Sequence, residues 1–182
     1  LEHGAKYPLQ ELDHKDRLMD IHDAIVRGNH QSAVSNFDLL KSMMKTEVEY
    51  GYALPIPIET IRCIPNAAVA PLGIVFQDTI DEFGNIKEKA RASHDQSFAF
   101  SSGTSVNDCV IEEKLTPCQY GRCLLRMLHY IAAARLQFPR VRILVGNFDW
   151  RTAYRRSHLA GHSAAVFITV LVGLLLLLFL LF

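Results

Sequence analysis

No carboxylate follows Asp149 in this chain of 182 residues, and no charged side chain of either sign follows Arg156. The stretch Ser163 to Phe182 is uncharged, and its last nine residues are only Leu and Phe. A water-facing surface normally carries ionic groups, so this stretch is read apart from the rest. Cysteine is sparse: Cys63, Cys109, Cys118 and Cys123 are the four present. Only Cys118 and Cys123 lie close together, and no second pair completes a tetrahedral zinc site or a disulfide framework. Free thiols in a reducing compartment follow. Net charge is also lacking, because 19 Lys and Arg cancel 19 Asp and Glu. That excludes a uniformly basic nucleic-acid coat and leaves room for a local basic patch. The opening LEHGAKYPLQELDHKD has no apolar core of the secretory kind, and it begins with Leu, as a fragment would.

Apolar residues are not lacking. They make up 49% of the chain against 21% charged, which excludes a disordered polymer of low hydrophobicity. The length predicts one domain with a small appendage. Leu18, Ile21, Ile25 and Val26 recur at helical spacing within Leu12 to Arg27, and Gly28-Asn29 supplies a stop. A second helix is expected from Ser32 to about Tyr50, with Val34, Phe37, Leu40, Met44 and Val48 on its core face. Pro55, Pro57, Pro65 and Pro71 then forbid a long helix. The run ALPIPIETIRCIP reads as an extended segment with a helical turn near Ile58 to Cys63. Leu72 to Gln77 (LGIVFQ) is a strand, 81–85 a turn, and Lys87 to Ser97 the returning strand of a hairpin. Ser101 to Asn107 is a Ser/Gly-rich loop. Tyr120 to Phe138 predicts a helix ended by Pro139, and Val141 to Phe148 a buried strand ending at Asp149. Another helix is expected to start at Ala153.

Asp149 is the residue with the most chemistry to offer. A carboxylate at a strand end beside a helix start either caps that helix or faces a cleft and holds a metal ion. The surrounding pattern bears on the choice. KEKARASHDQSFAFSSGTSVND carries Arg91, Asp95 and Asn107 in order after the strand APLGIVFQ. Further on, ILVGNFDWRTAYRR carries Phe148-Asp149-Trp150-Arg151-Thr152-Ala153-Tyr154. This series resembles the reverse transcriptases of retroelements over about Gly51 to Leu159. The form His94-Asp95-Gln96-Ser97 departs from the commonest version of the motif and points to a divergent lineage.

The resemblance implies a role for each matching residue. Asp149 would be the first catalytic aspartate and a ligand of Mg²⁺. Lys89 and Arg91 would clamp the incoming triphosphate, a task that suits the guanidinium fork. Tyr154 would be the aromatic gate beneath the sugar. Asp95 would orient Arg91, and Asn107 would fix the loop. Template-primer nucleic acid and dNTP are the implied partners. The implied fold is α+β: N-terminal helices over 1–50, a truncated fingers and palm over 51–160, and a hydrophobic tail over 163–182. The family also needs a second carboxylate pair after the first, and none is present here. One carboxylate cannot hold two divalent ions, so the expected function is a catalytically incompetent fragment of an RNA-directed DNA polymerase.

The tail is long enough for a transmembrane helix. Arg151, Arg155 and Arg156 on its N-terminal side would keep the rest of the chain cytosolic. A tail-anchored membrane protein whose cytosolic domain binds a partner or nucleic acid is therefore the alternative. A decayed element running into low-complexity sequence would produce the same Leu/Phe monotony. The missing second carboxylate pair leads to a definite expectation: the chain shows no primer extension with Mg²⁺ or Mn²⁺ on any template. Template-dependent dNTP incorporation that disappears in Asp149→Ala would overturn it.

Overall fold

The computed structural model describes residues 6–81, 83–115, 121–146 and 159–171, and the backbone of 174–178. The chain divides into two compact units, one of Leu1–Glu112 with Thr152–Phe182 and one of Glu113–Arg151.

The first unit begins with α1, His14–Arg27. Asp13 caps it by accepting from the Lys15 N–H at 2.8 Å, satisfying one of the donors a helix start leaves open. Gly28 ends it at φ 69°, its N–H donating to Ala24 O at 2.9 Å. Glycine reaches that φ without a Cβ clash. The expected second helix is broken in two, α2 over Gln31–Ser35 and α3 over Phe37–Glu49. At the break, Asn36 leaves helical geometry (φ −120°, ψ 39°) and donates from Nδ2 to Ser32 O at 2.8 Å. Its side chain competes with the helical ladder, as Asn does at turns. The buried positions keep one helical face across the break, at spacings of i, i+7 and i+11. Ala33, Leu40 and Met44 are buried, whereas Val34, expected inside, is 54% exposed.

The extended run becomes β1, Ala53–Pro57, followed by a 3₁₀ turn over Ile58–Cys63. Strands β2, Leu72–Ile80, and β3, Ile86–His94, form an antiparallel hairpin in which Leu72 faces His94 and Ile80 faces Ile86. Only its base is buried, at Leu72, Gly73 and Ile74; the outer arm is in solvent. The edge of β2 is covered at the base. His30 N donates to Leu72 O at 2.9 Å, and the Ile74 N–H donates to Ser32 Oγ at 3.1 Å. Capping an edge in this way blocks pairing with another chain.

The hydrophobic tail is the main departure from expectation. After the single helical turn α5, Gly161–Ala164, it forms strands β4, Ile168–Leu171, and β5, Leu174–Leu178. They lie in one antiparallel sheet of order β1-β5-β4, with Ala53 opposite Leu178 and Ile168 opposite Leu177. Val166, Ile168, Thr169 and Val170 are β-branched residues that favour extended backbone. Strand β1 offers a ladder that satisfies the tail's amides. Ile168, completely buried, packs with Ile21, Ile56, Ile61 and Val69, while Val166 and Phe167 join Leu40, Met44 and Leu72.

The second unit contains α4, Cys123–Gln137. The leucines along it are not buried: Leu124, Leu125, Leu128 and Leu136 are exposed. The expected strand from Val141 is absent over the described residues 141–146. With no strand among the described residues of this unit, its backbone has no ladder there to join. Among the described residues no helix is long and apolar enough to cross a membrane. The expected architecture, an α+β truncated fingers and palm with a C-terminal transmembrane helix, is thus corrected to a mixture of helices and small sheets with a strand-forming tail. The burial pattern of α2 and α3 is open to a direct check by urea denaturation. Leu40→Ala costs about 2–5 kcal/mol, the usual range for a buried Leu. Val34→Ala costs no more than about 0.5 kcal/mol, as at other exposed sites.

Candidate nucleic-acid interface

Alternation along β3 places Lys87, Lys89 and Arg91 on one face of the hairpin. Their cross-strand partners are Thr79, Gln77 and Val75, none of them acidic. The opposite face carries Asp78 directly across from Glu88. The exposed arm is therefore two-sided in charge, with cations on one face and carboxylates on the other.

The three cations are not equivalent. Lys87 Nζ pairs with Asp81 Oδ2 at 3.0 Å. Asp81 is a turn-building residue whose Oδ1 accepts from the Phe83 and Asn85 N–H groups, each at 2.9 Å. The Asn85 N–H, followed by Lys87, holds its carboxyl below the usual Asp range. Lys87 is thereby tied to the turn. Lys89 and Arg91 are exposed and have no ion pair among the described residues. They are the free cations of this face.

Below them the chain leaves β3 through a bonded junction. The resemblance assigned Asp95 to Arg91, but its carboxylate is engaged elsewhere. Oδ2 lies 3.0 Å from His30 Nε2, and Oδ1 accepts from the Ser97 N–H at 3.1 Å. Asn107 donates from Nδ2 to Ser97 Oγ at 2.8 Å and from its backbone to Gln96 O at 3.1 Å, closing the loop between them. Phe98 receives the His30 ring edge-on at 5.7 Å and the Arg27 guanidinium at 4.3 Å from its centroid. A cation over an aromatic face is an attractive contact. His30 carried no mark in the sequence. It lies 65 positions from Asp95, and the only local signal nearby was the helix stop at Gly28.

His94 anchors the hairpin from its inner face. Its Nε2 is 3.1 Å from Ile168 O, the Gln96 side-chain amide meets its Nδ1, and its ring stacks on Phe167 at 6.1 Å. A neutral imidazole with its proton on Nε2 satisfies both contacts. Burial pushes its pKa down to about 4, against weaker opposing effects of Ile168 O and Asp95.

Asp149 and Tyr154 lie outside the described residues. Among the described residues no group of three or more His, Cys, Asp or Glu side chains is placed to hold a metal ion, so Mg²⁺ stays an implication of the resemblance. Cys63, Cys109 and Cys123 are free thiols. The chain matches no family model, no curated protein and no solved structure.

The buried His94 makes stability depend on acid. Above about pH 6.5 the imidazole is neutral in both the folded and the unfolded chain and has no effect. Between about pH 6.5 and about 4 the unfolded chain binds a proton that the folded chain refuses, so stability falls as pH falls through this window, by up to roughly 3 kcal/mol. Urea midpoints measured from pH 7 to pH 4 should show this slope, and His94→Gln should flatten it.

Proposed function

We propose that this chain is a nucleic-acid-contacting fragment of a retroelement reverse transcriptase, without a complete polymerase centre of its own. The observation that carries the reading is the exposed hairpin face on which Lys89 and Arg91 have no ion pair. Neutralising phosphates releases condensed counterions and favours binding without any sequence recognition. The arm suits that task. Its base is packed, its outer half stands in solvent, and its acidic face is turned away from its cationic one. Support also comes from the order of motifs, with Arg91, Asp95 and Asn107 preceding Asp149 and Tyr154.

The roles follow from the bonding. Arg91 and Lys89 meet phosphate oxygens, whether of a template-primer backbone or of a dNTP. Arg91 has the fork for bidentate contact, and Lys89 acts as a point charge. Lys87 contributes less because Asp81 already holds it. Asp95 and Asn107 keep the loop behind β3 closed and do not touch the ligand.

Fluorescence anisotropy of the chain with a short RNA–DNA hybrid tests the reading. Binding falls in the non-specific range of about 10⁻⁴–10⁻⁶ M and weakens with salt. Removing both Lys89 and Arg91 as alanines lowers the slope of log K against log salt by about 0.7–0.9 for each lost phosphate contact. Lys87→Ala alone changes it by less. If the Lys89→Ala, Arg91→Ala double variant binds as tightly as the wild type, the hairpin is not the contact surface and the reading fails.

A further inference from the structure

The first unit encloses a cavity of about 280 Å³ that shares no residue with the β2–β3 hairpin. Leu9, Ile21, Val69, Val106 and Phe100 give it an apolar wall. One cation stands in that wall. Arg17 is 8% exposed and lines the cavity. It uses two of its five N–H donors, Nη1 toward Ile64 O at 3.4 Å and Nη2 toward His14 Nδ1 at 3.2 Å. Neither partner carries a negative charge that could balance the guanidinium, and among the described residues Arg17 has no ion pair. A buried charge is costly unless an opposite charge meets it.

The carboxylates nearby are engaged in bonds of their own. Asp20 accepts from the Ser102 N–H at 2.8 Å and from Ser102 Oγ at 2.6 Å, and Glu11 accepts from Asn66 Nδ2 at 2.6 Å. Both also line the cavity. The lining therefore carries two carboxylates against one guanidinium, which disfavours a doubly charged guest such as a phosphate monoester most, and a singly charged one is held only by direct charge-assisted contact with Arg17. A singly charged guest leaves one charge to meet Arg17 and an apolar body to fill the remainder. The volume holds about nine groups of water's size, at about 30 Å³ each.

We infer that this cavity is a binding site for a small amphiphilic monocarboxylate, its carboxylate on Arg17 and its apolar body against Leu9, Ile21, Val69 and Val106. The inference is independent of nucleic-acid binding.

Titration calorimetry on the full chain with octanoate, 1-octanol and octylammonium as probes tests it. Octanoate binds saturably, one per chain, and about tenfold or more tighter than 1-octanol, as a charge-assisted hydrogen bond predicts. Octylammonium binds more weakly than either. Arg17→Met removes the preference for octanoate and leaves 1-octanol binding in place. Val106→Phe, which keeps Arg17 and fills the space, abolishes binding of both octanoate and 1-octanol, and it supplies the test if Arg17→Met does not fold. Equal affinity of the wild type for octanoate and 1-octanol, no saturable octanoate binding, tighter octylammonium binding, or octanoate binding retained in Val106→Phe would each overturn the inference.

Discussion

The amide side chain of Asn29 holds the first unit together. It follows Gly28, whose positive φ turns the chain out of α1. Its Oδ1 accepts from the Leu72 N–H at 2.9 Å, and its Nδ2 donates to Val170 O at 2.8 Å. Thr169 Oγ1, on a fully buried residue, approaches the same Oδ1 at 3.5 Å. One side chain thus joins the end of a helix, the base of the hairpin and a strand of the tail sheet. An apolar residue there would leave a donor and an acceptor unpaired at a buried junction, which costs more than a hydrogen bond contributes when made. The neighbouring His30 extends the junction through its backbone to Leu72 and through its ring to Asp95.

From this junction the hairpin takes its properties as an arm. The base is clamped on one side by Asn29, His30 and Ser32 and on the other by His94 against Ile168 O. Asp95 adds a backbone bond to Pro71 O at 3.0 Å. With the base secured, the outer strands need no packing from the rest of the chain. They remain in solvent, with their cations hydrated. The cavity follows the opposite rule: there a cation, Arg17, is buried.

Much of this order was legible locally. Gly28 marks the end of α1, prolines mark the extended run, and an apolar β-branched run followed by a turn marks the hairpin, with Lys87, Lys89 and Arg91 on its returning strand. What was not legible depended on distant partners. Asn36 is an ordinary polar position until its side chain finds Ser32 O, and it is the small Ala33, not the neighbouring Val34, that faces the core. The tail was read as a helix because Leu is a good helix former and nothing charged interrupts it. Pairing with β1 overrides that propensity, as tertiary context often does. Asp95 was matched to Arg91 through the resemblance, while the side chain it bonds, His30, comes from another element. Asp149 and Tyr154 stand in the sequence pattern alone, outside the described residues.

The pairing of β1 with β5 sets an order of events during synthesis. Ala53 to Pro57 leave the ribosome long before their ladder partners, Leu174 to Leu178, are made. Until then β1 presents unpaired amides and carbonyls to its surroundings, the state in which strand edges recruit other chains. Pro55 and Pro57 lie within that strand and lack amide hydrogens. They reduce the number of donors on offer during the wait, so they act as gatekeepers for a sheet that can close only after β5 has been made.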